Sequence, residues 1–222
     1  MTQTGTAGGL RLTGFDGTTG LWDQLVGLGT QDLVRRYRAS VACFDDRVFE
    51  LTDEQLDQAW ASEAGVGVWP IRVLLGHLAD AEVVFAHRIR RVAAEPGSVL
   101  GVWDEQAWVD AGLYGADPSG ATSPNAAAAP VGAFVAAVYT LRQWVGEWLG
   151  GLHEGVWSRQ VMHPERGPLG LRSIVALNTW HLEHHGWYLN AKIVKLLGER
   201  EACEPAGCAN PACACGPKGD AG

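Results

Sequence analysis

Apolar residues recur every three or four positions along four stretches of this chain, the period of helices that turn one face to a core. The first stretch begins near Gln31 or Asp32, presents Leu33, Val34, Tyr37, Val41 and Phe44, and ends before Leu51. Thr52 and Gln55 have the spacing of a capping box and predict a short second piece. After the break at Gly65-Val-Gly-Val-Trp-Pro, Pro70 suits the first turn of a long helix that runs to about Ala94 and stops at Pro96-Gly97. A third follows Pro130, with Phe134, Val135, Val138, Leu141, Val145, Trp148 and Leu149 as its stripe, and ends at Gly150-Gly151. The turn-rich His163-Pro-Glu-Arg-Gly-Pro leads into the last, Leu169 to about Leu197, which Gly198 can close. The connection from Gly101 to Ser123 is long and carries one short predicted helix, 104–111. No segment alternates with a strand's period of two. Four long helices with one long crossover predict an all-α four-helix bundle. Residues 31–198 form it, with residues 1–30 as an N-terminal arm and 199–222 as a Cys-rich tail.

Composition narrows the function classes. A hydrophobic content of 47% supplies a core, and a net charge of −8 argues against a phosphate-binding surface and so against nucleic acid. The longest apolar pattern, 131–152, is interrupted by Arg142 and Glu147, which excludes a membrane span. Met1 to Gly9 has neither the basic start nor the apolar centre of a signal peptide, so the expected location is cytoplasmic. Of the five cysteines, Cys43 reads as a reduced core thiol. Cys203, Cys208, Cys213 and Cys215 crowd the tail, where thiolates bind zinc or copper(I) or simply stay reduced.

The chemistry concentrates at Asn178-Thr-Trp-His-Leu-Glu-His-His-Gly-Trp-Tyr. His181 and His185 are one helical turn apart and share a stripe with Ile174, Asn178 and Leu189, so both face the core. Buried imidazoles are costly unless something satisfies them, and a divalent metal does so. Hydrogen bonding to backbone or hydroxyl groups is the alternative. Neither zincin pattern is met, because Leu182 and His184 occupy the places where the glutamate would stand. His184 lies about 100° round the helix from His185 and is expected at the surface or an interface. Glu183 and Asp80 are expected on solvated faces, and His163 in a structural turn. Of the ten tryptophans, Trp69, Trp103, Trp108, Trp180 and Trp187 flank this region in sequence and are expected in the core or along a pocket. On the second long helix His77 shares a face with Val73, Leu74, Ala81 and Val84, whereas His87 falls off that face. Three histidines with an open fourth position is the pattern of a catalytic rather than a structural metal site.

Trp69-Pro-Ile-Arg-Val-Leu-Leu-Gly-His-Leu-Ala-Asp-Ala-Glu resembles the second-helix motif of the DinB/YfiT-like proteins. His163-Pro-Glu-Arg-Gly through Thr179-Trp-His-Leu-Glu-His-His resembles their turn and fourth helix, and the likeness covers roughly residues 30–197. The resemblance implies an up-down-down-up bundle with His77, His181 and His185 as ligands of a divalent ion, zinc or nickel foremost, and often a homodimer. Relatives that use low-molecular-weight thiols make a metal-dependent thiol S-transferase, joining a small-molecule thiol to an electrophile, the leading expectation. A metal-dependent hydrolase and a non-catalytic metal-binding or stress-related protein are the alternatives. No Ser-His-Asp set, phosphate loop or dinucleotide fingerprint competes with a metal site.

Overall fold

The structure is a computed structural model and describes residues 20–200. Its helices are α1 (Gly20–Gly27), α2 (Thr30–Ala39), α3 (Asp53–Leu56), α4 (Ile71–Ala94), α5 (Glu105–Asp110), α6 (Val131–Gly150), α7 (Glu154–Trp157) and α8 (Leu171–Leu197). Two short strands, β1 (Gln160–His163) and β2 (Gly167–Gly170), pair antiparallel just before α8. The punctuation residues act as expected. Pro70 and Pro130 immediately precede α4 and α6, Gly198 follows α8, and Thr52 and Gln55 form a complete capping box on α3.

The chain is a four-helix bundle built from α2, α4, α6 and α8. The principal packing pairs are α4 with α6 and α8, and α2 with α6 and α8. Thus α2 lies across a diagonal from α4 and α6 from α8, which the long connections permit, whereas α4 and α6 are neighbours. Their directions follow from the contacts. Arg172 donates to Thr30 Oγ1, Arg36 pairs with Glu183, and the Asp45 amide donates to Asn190 Oδ1, so α2 and the turns after it run parallel to α8. Ile71, Leu74 and Leu75 at the start of α4 share one core cluster with Val131 of α6 and with Leu189 and Ile193 near the end of α8. Thus α4 and α6 run together, opposite to α8, which is the up-down-down-up order.

Two local expectations change. The helix pattern after Gln31 does not continue to Leu51. It breaks at Ala39 into 3₁₀ turns at Ser40–Cys43 and Asp46–Glu50, with Asp45 capping the second through the Arg47 amide. The described part of the expected N-terminal arm is also folded: α1 packs along α8, and Leu25 is fully buried in the core. The hairpin at Gln160–Gly170 was legible only as a turn, because Gly and Pro occupy much of β2. The start of the crossover runs beside it: Leu100 N–H donates to Met162 O and Met162 N–H to Ser98 O, at 2.8 and 2.9 Å. No described helix is long and apolar enough to cross a membrane. The tail cysteines lie outside the described residues.

Candidate metal centre

One residue from α4 and two from α8 meet in the bundle. His77, which is fully buried, and His181 face each other with their Nε2 atoms 3.1 Å apart. His185, one turn along α8, closes the group, with ring centroids 5.0 Å from His77 and 4.6 Å from His181. One nitrogen from each ring lies within 4.8 Å of the others. Antiparallel packing of α4 on α8 brings together residues separated by more than a hundred positions in sequence.

Glycines next to the histidines allow this approach. At Gly76 a Cβ would sit 2.4 Å from the Tyr114 ring, so only glycine lets the crossover lie flat on α4 beside His77. At Gly186 a Cβ would stand 2.7 Å from Cys43 Sγ, so the turn after α2 can press against α8 beside His185. A buried polar network anchors the helices below the histidines. The Arg142 guanidinium of α6 donates to Glu82 of α4, to Tyr37 O and Ser40 Oγ, and to Asn178 O and Oδ1 of α8. Asn178 Nδ2 in turn donates to Glu82 Oε2. Every long helix or its following turn contributes, and each charged group has a partner, which is the condition for tolerating buried charge. Arg142 had figured in the sequence only as an interruption of an apolar stripe.

The environment keeps the imidazoles neutral. Burial lowers the His77 pKa to about 4. Burial, then the neighbouring imidazoles, holds His181 and His185 well below their ordinary value. Neutral imidazole is the ligand form. The donor set also fits a cation. The buried Nδ1 atoms of His77 and His181 have no hydrogen-bond partner in the protein, and of two facing Nε2 atoms only one can donate to the other. Two nitrogens bound to one tetrahedral zinc would lie roughly 3.3 Å apart, close to the separation here. Indoles box the group: Trp69 meets His77 edge-on at 5.2 Å and lies nearly parallel to His185, while Trp103 stacks on His77 at 5.7 Å.

The other candidates sort clearly. His184 stacks on Trp180 at 4.8 Å and is outside the three-histidine group. His87 is exposed. Glu183 is not on a solvated face: it is fully buried and accepts a two-pronged pair from Arg36 at 2.8 and 2.7 Å. A carboxylate can be buried at that point because α2 delivers a guanidinium to it. Cys43 is no nucleophile, since burial pushes its thiol up to about 12. Glu105, which the sequence reading did not single out, places Oε2 3.9 Å from His77 Nε2, and burial raises its pKa. Nothing in the spacing could have found it, because α5 reaches His77 only by folding of the crossover.

Two cavities open onto the histidines. One of about 260 Å³ reaches His181 and includes Arg88, Glu105, His163 and Arg166. The other, about 190 Å³ and mostly apolar, reaches His185 between Trp69 and Tyr188. Lys192 closes its far side, its ammonium donating to Val66 O and Gly67 O and its pKa lowered by burial to about 8.

An up-down-down-up four-helix bundle with three inward imidazoles at a cavity wall defines a class of metal-site bundle proteins. Within it the chain belongs to the DinB superfamily, whose family model matches residues 36–189. It is 25% identical over 138 residues to a protein of Oceanobacillus iheyensis that carries the provisional name metal-dependent hydrolase, covering 62% of this chain and 70% of that one. The fold is similar to that of YfiT from Bacillus subtilis, with a TM-score of 0.53 and 18% identity over 82% of this chain and 91% of that chain. YfiT is described as having an unusual four-helix bundle topology and, provisionally, as a metal-dependent hydrolase.

Proposed function

We propose that the protein binds one divalent ion, zinc or nickel, through His77, His181 and His185 and uses it to join a low-molecular-weight thiol to a small electrophile. The observation that carries this reading is the meeting of three neutral imidazoles, donor atoms within 4.8 Å of one another, at the wall of two cavities. A divalent ion supplies Lewis acidity there, lowering the pKa of a bound thiol or water enough to make it a nucleophile near neutral pH. Two cavities of different character, one charged and one apolar, suit two reactants.

The chain's own groups supply the rest. The indoles of Trp69 and Trp103 exclude water from two sides of the imidazoles. The sulfur forms a new bond to the electrophilic carbon, the leaving group departs with its electron pair, and the thiol proton passes to a base. Glu105, with its carboxylate 3.9 Å from His77 Nε2, is placed to take that proton. Hydrolysis by water on the same groups is the second reading, favoured by the provisional descriptions of the two relatives. Metal analysis of protein purified without a histidine tag, followed by a thiol-conjugation assay of the metal-loaded protein, tests the proposal. Stoichiometric zinc or nickel with thiol consumption supports transfer; release of acid from esters or amides without thiol supports hydrolysis. Metal binding with no turnover supports a non-catalytic metal protein, and no binding removes the site.

A further inference from the structure

The cavity at His181 joins the α8 side chains Ile174, Leu177, Trp180 and His181 to three other pieces of the chain. Phe85 and Arg88 come from α4, Leu100, Trp103 and Glu105 from the crossover, and His163 and Arg166 from the hairpin. Arg36, Arg72 and Arg142 each hold a carboxylate, whereas Arg88 and Arg166 have none within ion-pair distance among the described residues. The half-buried Arg88 donates to Gly101 O at 3.1 Å. Burial, then the neighbouring Arg166 guanidinium, lowers the pKa of Arg88, while Glu105 opposes the effect. Glu105 and the exposed Glu165 roughly balance the two cations, so a divalent ion on the histidines would leave the cavity positive. His163 accepts the Glu165 N–H at Nδ1, 3.2 Å, so its neutral ring carries the proton on Nε2 and is a donor. Beyond these groups the walls are apolar: Phe85, Leu100, Leu169, Ile174 and Leu177.

The geometry points to this cavity as the site for a small organic carboxylate, its acid group held by Arg88, Arg166 and His163 and its carbon skeleton on the apolar wall toward His181. A planar carboxylate matches the guanidinium fork, and guanidinium is the cation best suited to a partly buried anion. At about 260 Å³ the cavity is smaller than the roughly 300–1,000 Å³ of most ligand pockets, which confines it to small molecules. The orientation of the reacting end rests on the proposed metal site; the acid anchor does not.

The test is calorimetric titration of the full chain, metal-free and zinc-loaded, with acetate, benzoate, phenylacetate and succinate, each against its amide. At least one acid should bind more tightly than its amide by about tenfold or more, and Arg166→Met and Arg88→Met should each remove about tenfold of that affinity. Arg166 is exposed on the hairpin, so its replacement leaves the fold intact, as a thermal melt will verify. If every amide binds as well as its acid, or no acid binds to either form, the inference is overturned. It is equally overturned if acid binding depends on zinc but is unchanged in both arginine variants, since the carboxylate then goes to the metal alone. Zinc binding is measured separately in the same protein. Acid binding that depends on the arginines while zinc fails to bind would overturn the metal reading and leave this one standing.

Discussion

The three imidazoles are useful because their surroundings deny them a proton and give them few partners. Replacing His77, His181 or His185 with Ala should each weaken zinc binding more than roughly 100-fold, beyond the 10–100-fold usual for losing an outer-shell partner. His184→Ala should change it little, because that ring stacks on Trp180. Competition against a chelating dye measures both. Neutral burial also sets the pH response of the metal-free protein. The His77 pKa falls from 6.5 in the unfolded chain to about 4 in the fold. The unfolded state therefore binds more protons between those values, and stability is lost as pH falls through about 6.5. From His77 alone, metal-free protein should lose about 2 kcal/mol between about pH 7.5 and pH 5 in urea titrations, and His77→Leu should remove that share.

At the scale of elements, close backbone approach decides where side chains can meet. Gly76 is invisible to a hydrophobic pattern, yet its missing Cβ lets Tyr114 pack on α4 next to His77. Gly76→Ala would drive a methyl into that ring and should cost about 1–3 kcal/mol, read as a shift of the urea midpoint. Because Gly76 adjoins His77, the same change should weaken zinc binding if α4 shifts to relieve the clash. The hairpin is equally consequential. It has four residues per strand, and it carries His163 and Arg166 to the cavity beside His181.

For the molecule as a whole, the Arg142 network ties α4, α6, α8 and the end of α2 together. Both Arg142 and Glu82 are essentially fully buried. Arg142→Ala would leave the buried Glu82 carboxylate without its cation and should destabilise the protein by about 3–5 kcal/mol in equilibrium unfolding. Adding Glu82→Leu to that variant should restore part of the loss, because the cost lies mainly in the stranded charge.

What the sequence determined by itself was whatever local periodicity and punctuation can encode. The four long helices followed from apolar spacing, and their boundaries near Pro70, Pro130 and Gly198 from residues that cannot lie within a helix or that readily end one. The common face of His181 and His185 followed from 3.6 residues per turn, and the inward direction of His77 from the same count. Local signals failed where a neighbour in space sets the outcome. Phe44 continued the apolar stripe, but α2 ends at Ala39, because Asn190 of α8 binds Cys43 O and the Asp45 amide and holds the chain in a tighter turn. Glu183 looked solvated until α2 brought Arg36 to it, and α1 packs only because α8 offers a face for Leu25. The tertiary structure alone decided the meeting of His77 with the other two, the approach of Glu105, and the cavity shared by Arg88 and Arg166. Each joins residues whose separation along the chain carries no periodic signal, and only the packing of α4 on α8 with the crossover laid over them brings them within reach.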